Sequence, residues 1–393
     1  MFEIRGKYNT AIVYAGRTDQ ESVAQVMNMC NTPYLAESRI RMMSDMHAAE
    51  GCTVGTSMTI TGRANPAWVG GDIGCGMQVY KLRERDIDCA QLDNVIRGEI
   101  PSGAAIFPTE NKAVRALHLE ELICFEQIRH KTVGASLGTL GGGNHFIEVD
   151  RDVDGALYLV IHSGSRRLGR DVAAYWQNEA FCQVNDWDPK LFARKKIDIS
   201  KAEVRKDQSW LEGDALNGYL HDMNMAVEYA RRSRELMGEA IIQGLDLQVE
   251  DAFATIHNYI DTKHGVLRKG AVSAQDGEQL IIPINMRDGS LICRGKGNPE
   301  WNCTAPHGAG RMMTRSQAKQ EIALEDYREA MKGIYTTCVS ENTLDESPMA
   351  YRAIDEILDV IEDTAEVVQL LTPIYNFKAS KAAVDEETMD GKD

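Results

Sequence analysis

A carboxylate and a thiol stand three residues apart in the glycine-rich stretch GGDIGCGM, residues 70–77. Asp72 and Cys75 both bind metal ions once they are deprotonated. The surrounding glycines let the backbone turn tightly enough for both side chains to face one point. The pair alone is an incomplete site, and taken alone it is more typical of a buried cysteine in a turn that an aspartate caps. Other parts of the chain must therefore supply the remaining ligands.

Three histidines lie where they could complete this ligand set. His145 follows a glycine-rich run, and His162 and His257 each follow an apolar segment that predicts a buried strand. Together with Asp72 and Cys75 they make five ligands, which is too many for one closed tetrahedral site. A thiolate can bridge two ions, so the set permits a binuclear centre on Cys75. Thiolate and imidazole ligands by themselves favour zinc.

Groups suited to anions accompany these candidate ligands. The run GTLGGG at residues 138–143 brings backbone N–H groups close together, and such a nest can hold phosphate oxygens. Asn144 follows it directly, and Arg166 lies four residues after His162. His307 is predicted to open a helix that runs through about residue 322, at the end where anions are favoured. Metal ligands, a phosphate nest and a spare nucleophile together predict phosphoryl or nucleotidyl transfer.

The elements that must position these residues mix helices and strands without an internal repeat or a proline-rich linker. This pattern favours one domain over residues 1–378, followed at 379–393 by an acidic tail predicted to be disordered. Helices are predicted at residues 18–30, 113–130, 172–184, 215–242 and 347–361. Strands are predicted at residues 40–43, which lead to Asp45 and His47, and at 156–161, 253–256, 280–283 (ended by Pro283) and 290–293.

Composition limits the class of protein. The chain has 393 residues, of which 43% are hydrophobic and 26% charged, as in ordinary globular proteins. It shows neither an apolar run of membrane-spanning length nor a secretory signal, and its nine cysteines include no C-x-x-C pair. We therefore expect a reducing, cytoplasmic compartment and no membrane. The net charge of −16 disfavours general binding of nucleic acid, so any such role must rest on a local basic patch.

The order of the motifs resembles that of the RtcB family of GTP-dependent RNA ligases. The resemblance extends from about Asp45 to Lys378, and the ordered set is far more specific than any one motif. The motifs are DIGCG (72–76), GTLGGGNHFIE (138–148), HSGSR (162–166), HNY (257–259), RKGA (268–271) and HGAGR (307–311). The resemblance implies a mixed α+β domain particular to this family, with a cleft for metal and GTP.

The resemblance also implies the cofactors. Two manganese ions would be held by Asp72, Cys75, His145, His162 and His257, with Cys75 bridging, and this replaces zinc as the expected catalytic metal. His307 would attack the α-phosphate of GTP and carry GMP through a P–N bond. The expected nucleotide site comprises Asn144, His145, Phe146, Ile147, Glu148, His257, Asn258, Pro283, Ile284, Asn285, Met286, Ser290, His307, Gly308, Ala309, Gly310 and Lys378.

The implied substrates are GTP and RNA. The activated enzyme would open a 2′,3′-cyclic phosphate to a 3′-phosphate, transfer GMP to that phosphate, and let a 5′-hydroxyl displace GMP. Arg166 and nearby basic residues would contact the RNA phosphates. A monomer is expected, and an activating protein partner is allowed for. Residues 283–286 read PINM where the family often has PGSM, so a backbone contact there is expected to differ.

Two other classes of function compete with the ligase. One is a binuclear metal-dependent RNA phosphatase or cyclic phosphodiesterase, which would use the same ions without a nucleotide adduct. The other is a non-catalytic module that binds metal or RNA. His307 discriminates between them, because neither hydrolysis nor simple binding needs a protein group that carries a nucleotide.

Overall fold

The computed structural model describes residues 1–16 and 18–379, which form two large sheets with helices packed against them. The strands are β1 (Phe2–Arg5), β2 (Thr10–Val13), β3 (Ile40–His47), β4 (Val54–Thr59), β5 (Arg63–Ala64), β6 (Gly76–Leu82), β7 (Phe146–Arg151), β8 (Leu157–Ser163), β9 (Leu211–Glu212), β10 (Val249–Ile256), β11 (Asn258–Asp261), β12 (Val266–Lys269), β13 (Ala271–Ser273), β14 (Gln279–Asn285), β15 (Gly289–Gly295), β16 (Thr304–Pro306) and β17 (Ala365–Lys378).

The helices vary from single turns to one very long helix. The α-helices are α1 (Gln20–Cys30), α2 (Pro66–Val69), α3 (Cys89–Glu99), α4 (His130–Ser136), α5 (Arg166–Val184), α6 (Pro189–Ala193), α7 (Gly213–Gly244), α8 (Arg315–Glu321), α9 (Leu324–Ala330) and α10 (Ile354–Ile361). Short 3₁₀ helices are Pro33–Leu35, Lys112–Leu117, Leu119–Glu121, Phe125–Gln127, Ile199–Lys201, Lys206–Gln208, Pro299–Trp301, Glu341–Glu346 and Pro348–Ala350.

The seven-stranded sheet positions most of the candidate ligands. Its order is β10-β6-β8-β7-β17-β15-β14, and each of its neighbouring strands runs antiparallel. In this register Met77 on β6 and Phe146 on β7 both lie opposite His162 on β8. The start of β6, the start of β7 and the end of β8 therefore lie side by side, and the segments that enter or leave these strands meet at one edge.

The six-stranded sheet closes the other side of the site. Its order is β1-β2-β3-β4-β12-β11, with β2 and β3 parallel and the other pairs antiparallel. The end of β3 carries Asp45, and the chain passes directly from β10 through His257 into β11. His257 thus lies at the point where the chain leaves one large sheet and enters the other.

Helices α5 and α7 cover the back of the site. Helix α7 has 32 residues and is about 48 Å long at the usual rise per residue. Trp176 of α5 and Tyr219, Met223 and Tyr229 of α7 are buried in the largest apolar cluster. This rigid pair of helices therefore supports the turn that carries Asp72 and Cys75, because Val227 and Ala230 of α7 lie against Gly74.

Several predicted elements are confirmed, and most extend beyond their predicted limits. Helix α1 begins after Asp19, whose side chain accepts from the Ser22 backbone N–H. Strand β3 continues from Ile40 through His47, and helix α5 begins at Arg166. Strands β8, β10 and β15 and helix α7 lie where the hydrophobic pattern placed them.

Other predictions of secondary structure are wrong for identifiable reasons. Residues 113–130 form 3₁₀ turns and not a helix, because His118 has a left-handed backbone (φ 47°) and Asp222 of α7 binds the Ile123 and Cys124 N–H groups. Pro283 lies inside β14 and does not end it. Because β14 is an edge strand, a residue without an N–H is tolerated there.

The helix predicted to begin at His307 is also wrong. Strand β16 ends at Pro306, a loop follows, and helix α8 begins at Arg315 behind a capping box formed by Thr314 and Gln317. The last predicted helix, residues 347–361, is a 3₁₀ turn followed by the shorter helix α10. The single-domain boundary at residue 378 stays a prediction, and the predicted tail lies, from residue 380 onward, outside the described residues.

Within the described part of the chain, no helix is both long and apolar enough to span a bilayer.

The buried carboxyl group of Asp222 yields a test of the fold. It accepts from two backbone N–H groups and from the Trp176 indole at 2.9 Å. Asp222→Ala leaves three donors without an acceptor, two of them buried, so we expect the free energy of unfolding to fall by about 3 kcal/mol. Denaturant unfolding measures this, with the exposed Glu228→Gln on the same helix as the control. Equal stabilities of the two variants would contradict the assigned role.

Candidate metal centre and nucleotide cleft

The five predicted ligands converge at the meeting point of the two sheets. Sγ of Cys75 lies 3.5 Å from Nε2 of His145 and 3.3 Å from Nε2 of His162. Nε2 of His145 is 3.2 Å from a carboxylate oxygen of Asp72, and Nε2 of His162 is 3.4 Å from Nε2 of His257. The ligand atoms form two overlapping groups, Asp72–Cys75–His145 and Cys75–His162–His257. Cys75 belongs to both groups.

Backbone carbonyls fix the orientation of two of these imidazoles. Nδ1 of His145 lies 2.9 Å from the Leu140 carbonyl, and Nδ1 of His162 lies 3.2 Å from that of Asn144. A carbonyl only accepts, so Nδ1 carries the proton in each ring and Nε2 keeps a lone pair that faces the cluster. For His257, Nδ1 is buried with no hydrogen-bond partner among the described residues, and Nε2 faces His162.

Burial disfavours positive charge on His162 and His257. The pKa of His162 lies well below its ordinary value, mainly because the ring is buried and secondly because His145 lies nearby. The pKa of His257 is also well below its ordinary value, mainly through burial and secondly through the nearby His307. Burial and the nearby Asp72 carboxylate raise the pKa of the Cys75 thiol. Burial opposes ionisation of Asp72, but His145 outweighs it and lowers the pKa of that carboxyl.

Close backbone approaches bring the ligands together. Gly74 has φ +68°, which lets the chain turn between Asp72 and Cys75. A Cβ on Gly164 would lie 2.0 Å from an Asp72 carboxylate oxygen, so only glycine fits after His162 and Ser163. The His257 N–H donates to the Cys75 carbonyl at 2.8 Å, which ties the fifth ligand to the same turn.

This set of donors fits a divalent cation. Several lone pairs face one another at 3.2–3.5 Å with few protons between them, and a cation would remove that repulsion. Two three-ligand groups that share a thiol would suit two ions with a bridging thiolate. We conclude that these residues could hold metal.

His307 lies beside the cluster and outside it. Its ring centroid is 4.7 Å from that of His257. Its Nδ1 lies 2.6 Å from a carboxylate oxygen of Asp45, which also accepts the His307 backbone N–H at 3.1 Å. Asp45 is fully buried, whereas the His307 side chain keeps 18% of its surface exposed. A carboxylate therefore fixes the ring and leaves its Nε2 lone pair available.

A cleft of about 300 Å³ opens beside His307 and the metal ligands. Most of the residues predicted to bind the nucleotide line it. These are Asn144, Phe146, Glu148, His257, Asn258, Pro283, Ile284, Asn285, Met286, His307, Gly308, Ala309, Gly310 and Lys378.

Three of the predicted nucleotide residues do not line this cleft. His145 belongs to the metal cluster, Ile147 is fully buried in an apolar cluster, and Ser290 is fully buried on β15. Asn258 lines the cleft, but its amide is occupied, since it donates to the Asp72 carbonyl and accepts from the Gly270 N–H. Asn258 therefore braces the metal-ligand turn.

Comparison of the sequence with those of known proteins assigns the chain to a family. The chain matches the family described as "RtcB: tRNA-splicing ligase RtcB" over residues 25–127 and 116–379. The chain belongs to the RtcB family. It is similar to "RNA-splicing ligase RtcB" of Escherichia coli (strain K12), with 30% identity over 90% of this chain and 93% of the relative. It is also 27% identical to the "tRNA-splicing ligase RtcB" of Aeropyrum pernix, over 81% of this chain and 83% of that relative.

Sequence reasoning missed a group of charged residues that line the cleft of this RtcB-family chain. Lys378 donates to Glu346 at 2.6 Å, and Arg315 also pairs with Glu346. Burial alone would raise the pKa of Glu346, but Lys378 and Arg315 lower it to about 2. Glu346 stands in the sequence ESP, which has no local pattern of a site. Only the fold brings it to Lys378, 32 residues further along the chain.

Arg166 lies against the glycine-rich loop and not in open solvent. Its guanidinium donates to the Gly103 carbonyl at 3.0 Å and to the Thr139 hydroxyl at 3.3 Å. A Cβ on Gly141 would collide with the same guanidinium. Arg166 thus supports the loop whose Leu140 carbonyl orients His145, and its contact with RNA stays a prediction.

The shared thiol makes Cys75 the most sensitive ligand. We expect Cys75→Ala to weaken manganese binding by about ten-fold or more, because both three-ligand groups lose a member. Metal content after dialysis against manganese measures this. The control is Cys52→Ala, since Cys52 is equally buried but donates to the Trp68 carbonyl outside the cluster. Full retention of manganese by Cys75→Ala would contradict the shared role.

Proposed function

We propose that this chain is a GTP- and manganese-dependent RNA ligase that joins 2′,3′-cyclic phosphate or 3′-phosphate ends to 5′-hydroxyl ends. The observation that carries the proposal is the position of His307, an imidazole that Asp45 orients beside the metal-ligand cluster without being one of its members. Hydrolysis would need the cluster alone. The names of the relatives, RNA-splicing and tRNA-splicing ligases, support the same reaction class.

The first step would be transfer of GMP to His307. Because Nδ1 donates to Asp45, Nε2 has the lone pair that attacks the α-phosphorus of GTP. The new P–N bond forms as the bond from the α-phosphorus to the bridging oxygen breaks, and pyrophosphate leaves. Asp45 then stabilises the positive charge that develops on the imidazole, as the carboxylate does in a catalytic triad.

Two manganese ions would be held by the five residues of the cluster, which are Asp72, Cys75, His145, His162 and His257. When bound, such ions neutralise phosphate charge and polarise the P–O bonds that react. The chain's own part is to hold five ligands in place while it leaves the face toward His307 clear. Asn144, which follows the glycine-rich run and lines the cleft, would donate to a phosphate oxygen.

The part of the cleft that Glu148 and Lys378 line would hold the guanine base. A carboxylate there can accept from guanine N1–H and from its 2-amino group, and Glu148 is the carboxylate of this chain that lines the cleft on β7. Lys378 lines the same part of the cleft and can donate to the O6 acceptor. The two side chains together would favour guanine over adenine, which presents the opposite pattern of donors and acceptors.

The later steps would act on RNA. Water would open a 2′,3′-cyclic phosphate to a 3′-phosphate, whose oxygen would take GMP from His307 and regenerate the imidazole. A 5′-hydroxyl oxygen would then attack the activated 3′-phosphate, and GMP would leave. Because the net charge is −16, contact with RNA would rest on local cations such as Arg166 and Arg311. A monomeric state, a cytoplasmic location and an activating protein stay predictions.

His307 provides the central test. We expect His307→Ala to keep bound manganese and to lose the acid-labile label taken from α-³²P GTP, because the variant lacks the nucleophile and keeps the ligands. Joining of ordinary 3′-phosphate RNA should fall to background, and joining of RNA that already carries a guanylylated 3′-phosphate should survive. The exposed His118→Ala is the matched control. A labelled His307→Ala protein would favour the metallophosphatase or cyclic phosphodiesterase.

Asp45 gives a separate test of how the nucleophile is oriented. Asp45→Ala removes the acceptor of the Nδ1 proton, so the wrong tautomer of His307 becomes populated. We expect the rate of GMP transfer to fall by about 100-fold or more, with manganese content unchanged. Single-turnover labelling measures the rate, with the exposed Asp154→Ala as control. A rate within a factor of a few of the unmodified protein would remove Asp45 from the mechanism.

A further inference from the structure

Two acidic side chains lie buried on one face of β7. Glu148 is 3% exposed and Asp150 is fully buried. Alternate residues of a strand point to the same face, so the two carboxyl groups are neighbours, and each shifts the pKa of the other. Glu148 lines the nucleotide cleft, whereas Asp150 lies one position deeper and does not.

The surroundings of Asp150 contain no donor for it. Neither of its oxygens accepts a hydrogen bond from a donor among the described residues. Its neighbours in register are Tyr158 on β8, whose hydroxyl donates to Asp152, and Pro373 on β17, which has no N–H. Val160, Ile281 and Leu371 belong to the apolar cluster on this side of the sheet.

An ionised Asp150 would therefore be a buried charge with neither donor nor counter-ion, which is very costly. Burial and the neighbouring Glu148 raise the pKa of Asp150 well above its ordinary value. Burial also raises the pKa of Glu148, to about 7, but Glu148 accepts from the Asn376 amide and has Lys378 nearby. Of the two carboxyl groups, Glu148 is the one equipped to hold negative charge, and Asp150 the one that keeps a proton.

We propose that Asp150 is a protonated positioning residue, whose O–H donates to the Glu148 carboxylate and fixes it as an anionic reader of the guanine edge. The inference rests on the proposed function in one respect, that Glu148 contacts the base. Asp150 itself touches neither nucleotide nor metal. It acts through the ionisation and orientation of Glu148.

This arrangement gives Asp150 control over the choice of base. An ionised carboxylate only accepts, so it matches the two donors at guanine N1–H and the 2-amino group. A protonated carboxyl group donates once and accepts once, and so it matches adenine, which offers N1 as acceptor and the 6-amino group as donor. Loss of the Asp150 proton donor moves Glu148 toward its neutral form, and thus toward adenine.

The test compares Asp150→Leu with the conservative Asp150→Asn. Leucine fills the apolar site without a donor, whereas the asparagine amide is neutral and can still donate to Glu148. Guanylylation and adenylylation are measured with labelled GTP and ATP in manganese, as kcat and KM. For Asp150→Leu we expect the preference for GTP over ATP to fall about ten-fold, mainly through a higher KM for GTP. Asp150→Asn should restore most of that preference.

A spectroscopic readout separates this inference from the proposed function. The infrared difference spectrum between the unmodified protein and Asp150→Asn at neutral pH should contain the C=O stretch of a protonated carboxylic acid. Absence of that band overturns the protonated state of Asp150. An unchanged GTP preference in Asp150→Leu, or an equal loss in both variants, overturns the positioning role. An unmodified protein that shows the band but takes no label from GTP overturns the guanine-reading role together with the proposed function.

Discussion

The site depends on forcing groups that repel one another into contact. Cys75, His145 and His162 place Sγ and two Nε2 atoms within 3.5 Å, although each ring has its Nδ1 proton committed to a carbonyl on the opposite side. Such a cluster is well suited to a cation, which would take up the lone pairs. The antiparallel register of β6, β8 and β7 brings these side chains together. The same register is therefore a constraint both on the large sheet and on the geometry of the candidate metal site.

A permanent positive charge behind the cluster completes this constraint. Arg234 of α7 is fully buried, and its guanidinium donates at 2.8 Å both to the Gly74 carbonyl and to the Ser163 carbonyl. It therefore joins the turn that carries Cys75 to the strand end that carries His162. Burial lowers the pKa of Arg234 to about 10, which still leaves it charged at neutral pH. The long helix thus places a fixed cation close to the Asp72 carboxylate and the Cys75 thiol, as well as supporting their turn.

Much of the fold and of the site could be predicted because the informative residues lie at the ends of apolar segments. The apolar runs before His162 and His257 predicted two strands with a candidate ligand at the end of each. The glycines of the DIGCG motif predicted a tight turn between Asp72 and Cys75. What could not be predicted depends on distant partners. Asp222 converts a helical pattern at residues 113–130 into short turns through hydrogen bonds from α7. Glu346 reaches Lys378 only because the fold brings a 3₁₀ helix against the last strand. No local pattern contains such information.

The failure of the predicted helix at His307 changes how this residue must work. A helix N-terminus would have supplied partial positive charge to a phosphate and would have left the ring without an orienting group. The structure instead has a loop after β16 and a buried carboxylate, Asp45, that holds both the backbone N–H and Nδ1 of His307. Orientation then comes from the end of β3 in one sheet, and charge compensation for a phosphate must come from elsewhere. The candidate metal cluster, which includes His257 beside His307, is the nearest source of such charge, so the proposed role of His307 as nucleophile would depend on metal bound there.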